Sequence, residues 1–184
     1  FTKSGEMDEQ AVRRLGRRQI DNGTHFLVPI GTTGENPTLE NAERIRMVEI
    51  LVDEAKGQVP VLAGCGGYNT AEVVALAREL EHVGVDAILS VTPYYNKATQ
   101  EGLYQHYKAI AEAVALPIVV YNIQGRTGVN VETPTLKRIS EIPNIVGWKM
   151  TYSYPGAFII AQELRKLDHH VGILRHAQED RLAF

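Results

Sequence analysis

The sequence predicts an α/β fold built on a parallel sheet. Three observations carry this: six short apolar runs rich in Val, Ile and Leu, amphipathic stretches between them, and capping residues at the boundaries of those stretches. Strands that read as continuous apolar runs, without polar alternation, are those buried on both faces, as in parallel sheets covered by helices.

The elements follow in order. Arg13, Arg14, Arg17 and Arg18 lie among acidic residues with the spacing of a solvated helix face, and Gly23 stands where that helix stops. The first apolar run is 25–30. A second amphipathic stretch ends at Gly57, and the run 59–64 follows. Over 71–81 the periodicity predicts a helix with Val73, Val74, Ala77 and Leu80 on one face and Glu72, Arg78 and Glu79 on the other. Asn69 three residues ahead of Glu72 reads as its capping box, and Gly84 as its stop. The runs 86–91 and 117–121 come next. Thr133 before Pro134 reads as an N-cap with proline in the first turn, where its missing N–H costs nothing. The runs 145–150 and 171–174 close the series. No linker or low-complexity segment interrupts the pattern, so residues 1–184 read as a single domain.

Periodicity alone leaves two architectures standing, an open doubly wound sheet and a closed barrel. A dinucleotide-binding sheet calls for G-x-G-x-x-G after its first strand; Gly64, Gly66 and Gly67 lack the third glycine at that spacing. A barrel of this class needs eight strands. With six runs visible, the barrel is incomplete in this chain or the sheet is open.

Composition narrows function by exclusion. The chain is 44% hydrophobic and 22% charged, with a formal net charge of −3, which suits one globular domain with a substantial core. The acidic balance argues against nucleic-acid or membrane-surface partners, which call for a clustered basic face. Cys65 is the only cysteine, so no intrachain disulfide forms, and a reducing, cytoplasmic setting is expected. No apolar run reaches membrane-spanning length, and no His/Asp/Glu set has metal-ligand spacing. We expect neither metal nor cofactor.

The unusual polar residues gather at the C-terminal ends of the apolar runs. Gly31-Thr32-Thr33-Gly34-Glu35 follows the first, and Thr92-Pro93-Tyr94-Tyr95-Asn96 the third. Tyr121-Asn122 ends the fourth and leads to Arg126-Thr127-Gly128; Lys149 lies in the fifth between Trp148 and Met150. In a barrel these ends form one face, where active sites are built. A lysine in water has a pKa of about 10.4 and is no nucleophile until it loses its proton. Burial at a barrel mouth disfavours the ammonium form and suits Lys149 to attack a ketone. Bland readings stand beside this one: Lys149 as a snorkelling edge residue, Tyr121 as a core tyrosine, Thr32 and Thr33 as turn formers, Arg126 as loop surface.

Taken together, these motifs resemble the dihydrodipicolinate synthase / N-acetylneuraminate lyase family of pyruvate-dependent class I aldolases, over essentially the whole chain. The resemblance implies a (β/α)8 TIM barrel whose second to seventh strands are visible, the first strand, the eighth and a C-terminal helical extension being absent. It implies a Schiff base between Lys149 and pyruvate, with Tyr121, Thr32 and Tyr95 as a proton-carrying hydroxyl relay. Gly31, Thr33 and their loop N–H groups would hold the pyruvate carboxylate. Arg126 resembles the synthase branch, where an arginine pairs with the carboxylate of aspartate semialdehyde. Thr151 resembles the sugar-acid aldolase branch, where it contacts a substrate hydroxyl. The expected partners are pyruvate and a small aldehyde, in a homodimer or homotetramer with Tyr94 or Tyr95 reaching across an interface. A synthase is the first expectation, a 2-keto-3-deoxy-sugar-acid or N-acetylneuraminate-type aldolase the second, and an inactive barrel fragment with a binding or assembly role the third. Where lysine-sensitive synthases bind their inhibitor, Asn41, Arg44 and Tyr68 replace the usual polar set beside Glu72, so weak or no inhibition by lysine is expected.

Overall fold

Asp8 opens the first helix: its carboxylate accepts the Ala11 N–H at 2.9 Å, ahead of α1 (Glu9–Asp21). The computed structural model describes residues 1–150 and the backbone of 172–175. Helices α2 (Asn41–Ala55), α3 (Thr70–Val83), α4 (Gln100–Ala113), α5 (Gln124–Thr127) and α6 (Thr133–Ser140) follow α1. Strands β1 (Leu62–Gly64), β2 (Ala87–Val91), β3 (Ile118–Asn122), β4 (Ile145–Met150) and β5 (Gly172–Arg175) are interspersed with α2 to α6. Asn69 caps α3 as expected, accepting from the Ala71 N–H, and its side-chain amide donates to Glu72 at 2.8 Å. Gly84 ends the helix in the left-handed conformation at φ 87.

Two boundaries differ from the sequence expectation. Thr133 is the first helical residue of α6, and Glu132 takes the N-cap position. Its N–H is held at 3.0 Å by the Gln100 side chain, a contact from another element that keeps Glu132 extended. The run 25–30 is not a regular strand. It pairs in parallel with the chain beside it through a single bridge, Leu27 to Val61, and donates or accepts three backbone hydrogen bonds there. Pro29 has no N–H to extend the ladder, and Ile30 turns out of it at φ 48.

The strand order is sequential, β1-β2-β3-β4-β5, and every pairing is parallel. This decides between the two architectures. A doubly wound sheet reverses its strand order at a switch point so that helices cover both faces. Here the order never reverses, and right-handed crossovers put α3, α4 and α6 on one side. The sheet is an arc of barrel wall with the 25–30 segment along its β1 edge.

The outer face carries the large core. Ile88, Ile118, Val120 and Trp148 meet Leu80, Leu103, Ile110, Leu136 and Ile139 from the helices, all fully or nearly fully buried. The inner face holds a smaller cluster, Leu62, Leu89 and Val119, with Phe26, Ala87 and Tyr121 packed against it. Both faces of β1, β2 and β3 therefore carry buried apolar side chains, which explains why those runs lack polar alternation.

His106 is the one buried titratable group among the described residues whose titration falls in the accessible acid range. Its Nδ1 lies 2.8 Å from the Thr70 hydroxyl, Nε2 meets no partner, and burial pushes its pKa down to about 4. The unfolded chain, at about 6.5, binds the proton more readily than the fold does. Stability contributed by neutral His106 is therefore complete above about pH 6.5 and lost as pH falls toward 4, by up to roughly 3 kcal/mol. Urea denaturation across that window should show the loss, and His106→Leu should flatten it.

Candidate active site

A bulge sets the geometry of the site. Ile118 pairs with Ile145, but Val119 pairs with Gly147, so Val146 is skipped and is 38% exposed. Without the skip, Tyr121 would lie beside Trp148 and Lys149 beside Asn122. With it, Tyr121 pairs with Lys149 and both point to the inner face. The Lys149 Nζ stands 4.3 Å from the centre of the Tyr121 ring. The ring face favours the ammonium ion, whereas half-burial disfavours it; burial prevails and holds the amine below the usual lysine range. Among the described residues Lys149 makes no ion pair, so no carboxylate locks it in the charged form.

The first-loop residues reach the same rim. Gly31 precedes a 3-10 turn, Thr32–Gly34, whose two threonine side chains are exposed. The loop is seated by a close backbone approach: a Cβ on Gly64 would come within 2.4 Å of the Ile30 carbonyl oxygen. Gly66 likewise lies against Val91, where a Cβ would meet its backbone nitrogen at 2.8 Å. Gly64 and Gly66 thus serve close packing at the end of β1.

Arg126 lies on α5 and is exposed at the same rim. Its loop is pinned from below. The buried Thr127 hydroxyl bonds the Ile123 and Val129 carbonyls at 3.1 and 2.9 Å, and Gly128 turns the chain at φ 72. Asn122, also buried, donates to the Asn130 side chain at 2.9 Å and accepts from the Val131 N–H. Thr151 lies outside the described residues.

Tyr95 lies at the outer surface of this chain. It is 91% exposed, with φ 71, and so touches almost nothing of its own chain. A hydroxyl that far out does not join Tyr121 within one chain. Tyr94 instead packs edge-on against Tyr68, ring centres 5.4 Å apart, and Asn96 donates to the Tyr68 carbonyl. Beside that pair a cavity of ≈ 480 Å³ is lined by Asn41, Arg44, Tyr68 and Glu72, among others. The residues singled out for lysine recognition thus share one hollow, with the Arg44 guanidinium partly buried beside Asn36.

Sequence reasoning placed Thr92, Asn122 and Thr127 in motifs without giving them a role, and it missed Tyr107. Thr92, Tyr107, Asn122 and Thr127 are each 5% exposed or less, and all hold backbone near the strand ends or their side chains. Their signal was membership of a strand-end motif or, for Tyr107, of an amphipathic helix, and neither by itself names a partner. Among the described residues no group of three or more His, Cys, Asp or Glu side chains could hold a metal ion, and no helix is long and apolar enough to cross a membrane.

A family model described as the dihydrodipicolinate synthetase family matches residues 1–169. The 4-hydroxy-tetrahydrodipicolinate synthase of Afipia carboxidovorans is 55% identical over 147 residues, 80% of this chain and 50% of its own length. That of Bradyrhizobium diazoefficiens is 52% identical over the same extent. Among solved structures, the chloride-inhibited dihydrodipicolinate synthase of Acinetobacter baumannii in complex with pyruvate matches with a TM-score of 0.90. It is 41% identical, over 95% of this chain and 60% of that one. A monomeric dihydrodipicolinate synthase variant matches with a TM-score of 0.86 and 42% identity, over 94% of this chain and 59% of that one. The chain spans about half the length of the curated relatives it matches. The arc of parallel strands is therefore part of a (β/α)8 barrel.

Proposed function

The chain belongs to the dihydrodipicolinate synthetase family, and on that premise we propose that it serves a synthase-type lyase reaction joining pyruvate to aspartate semialdehyde through an imine on Lys149. One observation carries the reading: a half-buried amine at the inner rim of the barrel wall, seated over the Tyr121 ring and without a counter-ion among the described residues.

The chemistry follows from those two side chains. The neutral Lys149 amine attacks the pyruvate ketone carbon, and loss of water leaves an iminium. Its positive nitrogen draws electrons from the methyl carbon, which gives up a proton and becomes an enamine. The enamine carbon then forms a bond to the aldehyde carbon of the second substrate, whose oxygen takes up a proton. Bond formation regenerates the iminium; the amino group of the second substrate attacks its carbon, closes a ring, loses a proton to the Lys149 nitrogen and expels it as the free amine. Each proton needs a positioned carrier, and Tyr121 is nearest on the same face. Thr32 belongs to the same proton traffic in this reading, with Gly31 and Thr33 at the pyruvate carboxylate. Arg126, exposed on its pinned loop, suits bidentate pairing with the carboxylate of the second substrate. Tyr95 completes the relay from a neighbouring subunit, in a cytoplasmic homodimer or homotetramer; its 91% exposure leaves it free to cross.

The relatives reported above are all synthases, which supports the synthase over the sugar-acid aldolase. The test is sodium borohydride added with pyruvate, followed by peptide mapping. A reduced pyruvate adduct on Lys149 is the expected result; folded protein without an adduct overturns the imine. With aspartate semialdehyde as second substrate, lysine should inhibit weakly or not at all. Strong inhibition at low lysine concentration would refute that reading of Asn41, Arg44 and Tyr68.

A further inference from the structure

The carbonyl of Tyr121 is held twice by one residue. Thr92, just beyond β2 and fully buried, donates its N–H and its hydroxyl to that oxygen, each at 2.9 Å. The N–H bond merely continues the parallel ladder past Val91. The hydroxyl bond is additional, and it is not needed to satisfy the carbonyl.

The end of β2 that carries Thr92 is itself held from behind. Tyr107, on α4 and also fully buried, donates its hydroxyl to the Ser90 carbonyl at 3.3 Å, two residues before Thr92. Polar contacts therefore run from α4 to the Ser90–Thr92 segment, and from Thr92 to the carbonyl of Tyr121. Buried hydrogen bonds of this kind specify a single arrangement. The last of them ends on the residue whose ring lies under Lys149.

We infer that Thr92, supported by Tyr107, is a positioning residue that fixes the end of β3 so that the Tyr121 ring stays beneath the Lys149 amine. Neither residue touches the reacting atoms: both act from the outer face through backbone. The inference rests on the imine reading for its kinetic test. Displacement of about 1 Å at a reacting group can cost on the order of a hundredfold in rate. A threonine that prevents part of such a shift is therefore visible in kinetics.

The experiment compares the natural protein with Thr92→Val, Thr92→Ser and Tyr107→Phe. Valine keeps the branched shape and removes the hydroxyl; serine restores the hydroxyl. The readout is the initial rate of pyruvate trapping on Lys149 with borohydride, measured well below each variant's melting temperature. Thr92→Val should slow trapping about tenfold, Thr92→Ser should recover most of the rate, and Tyr107→Phe should slow it less. The double variant Thr92→Val with Tyr107→Phe should be little slower than Thr92→Val alone, because Tyr107 acts on Tyr121 through the segment that carries Thr92. A purely structural role would lower the melting temperature and leave trapping of the folded protein unchanged; that outcome overturns the inference. If the natural protein traps no pyruvate, the imine reading falls, and the positioning role is decided by competitive acetylation. Lys149 in Thr92→Val should then react several-fold faster, relative to the exposed Lys56, than in the natural protein or Thr92→Ser. Equal labelling overturns the inference.

Discussion

Lys149→Ala should abolish the borohydride-trapped pyruvate adduct and lower turnover by on the order of 10⁴ to 10⁶, the scale on which enzymes lose activity with their covalent nucleophile. The fold should barely register the change. Lys149 is half-buried, makes no ion pair among the described residues, and pays a desolvation cost as an ammonium ion, so its removal relieves as much as it loses. Thermal melting within a few degrees of the natural protein, together with no adduct, is the expected pair of results. Lys149→Arg sharpens the experiment, because arginine keeps a cation in place and stays protonated at any accessible pH. An arginine variant that retained turnover would show that charge, and not imine formation, is what the position supplies.

Trp148→Ala, one residue away, should do the reverse. Trp148 is fully buried on the outer face, and its indole N–H donates to the Ser140 hydroxyl at 3.2 Å, joining β4 to α6. The hydrogen bond is the smaller part of the loss, since the Ser140 hydroxyl donates independently to the Leu136 carbonyl at 2.9 Å. The cavity is the larger part, and truncation should cost about 3–5 kcal/mol. Trp148→Phe should cost less, because it fills most of the space. Urea denaturation followed by circular dichroism measures both; Trp148 is the only tryptophan, so fluorescence disappears with it. A loss below about 1 kcal/mol, the scale of a surface substitution, would show that β4 is not anchored through this ring. Together the two variants separate the neighbouring roles of one strand, chemistry on the inner face and cohesion on the outer.

The class of fold was legible because both faces of the sheet are buried. The runs 86–91, 117–121 and 145–150 became β2, β3 and β4 with shifts of no more than one residue at their ends. Caps were legible where they are local, as at Asn69 and Gly84, and shifted at Thr133, where the deciding contact comes from Gln100 on another element. The run 25–30 has strand composition yet forms one bridge, because its pairing ends at Pro29. Tyr95 stands by sequence beside groups that share the rim, and its backbone turns it outward.

By itself the sequence determined that parallel strands deliver an amine, hydroxyls and a guanidinium to one rim. Those features depend on periodicity and on the direction of each strand, which neighbouring residues specify. Only the tertiary structure decided that the strands follow one another without reversal, and that Val146 is skipped so that Lys149 lies beside Tyr121. It also decided that Thr92 and Tyr107 hold that pair from behind. Register and bulges are settled by contacts between residues far apart in the chain, where a one-residue slip sends every side chain to the opposite face. No local pattern in 145–150 distinguishes the slipped pairing from the one that makes the site.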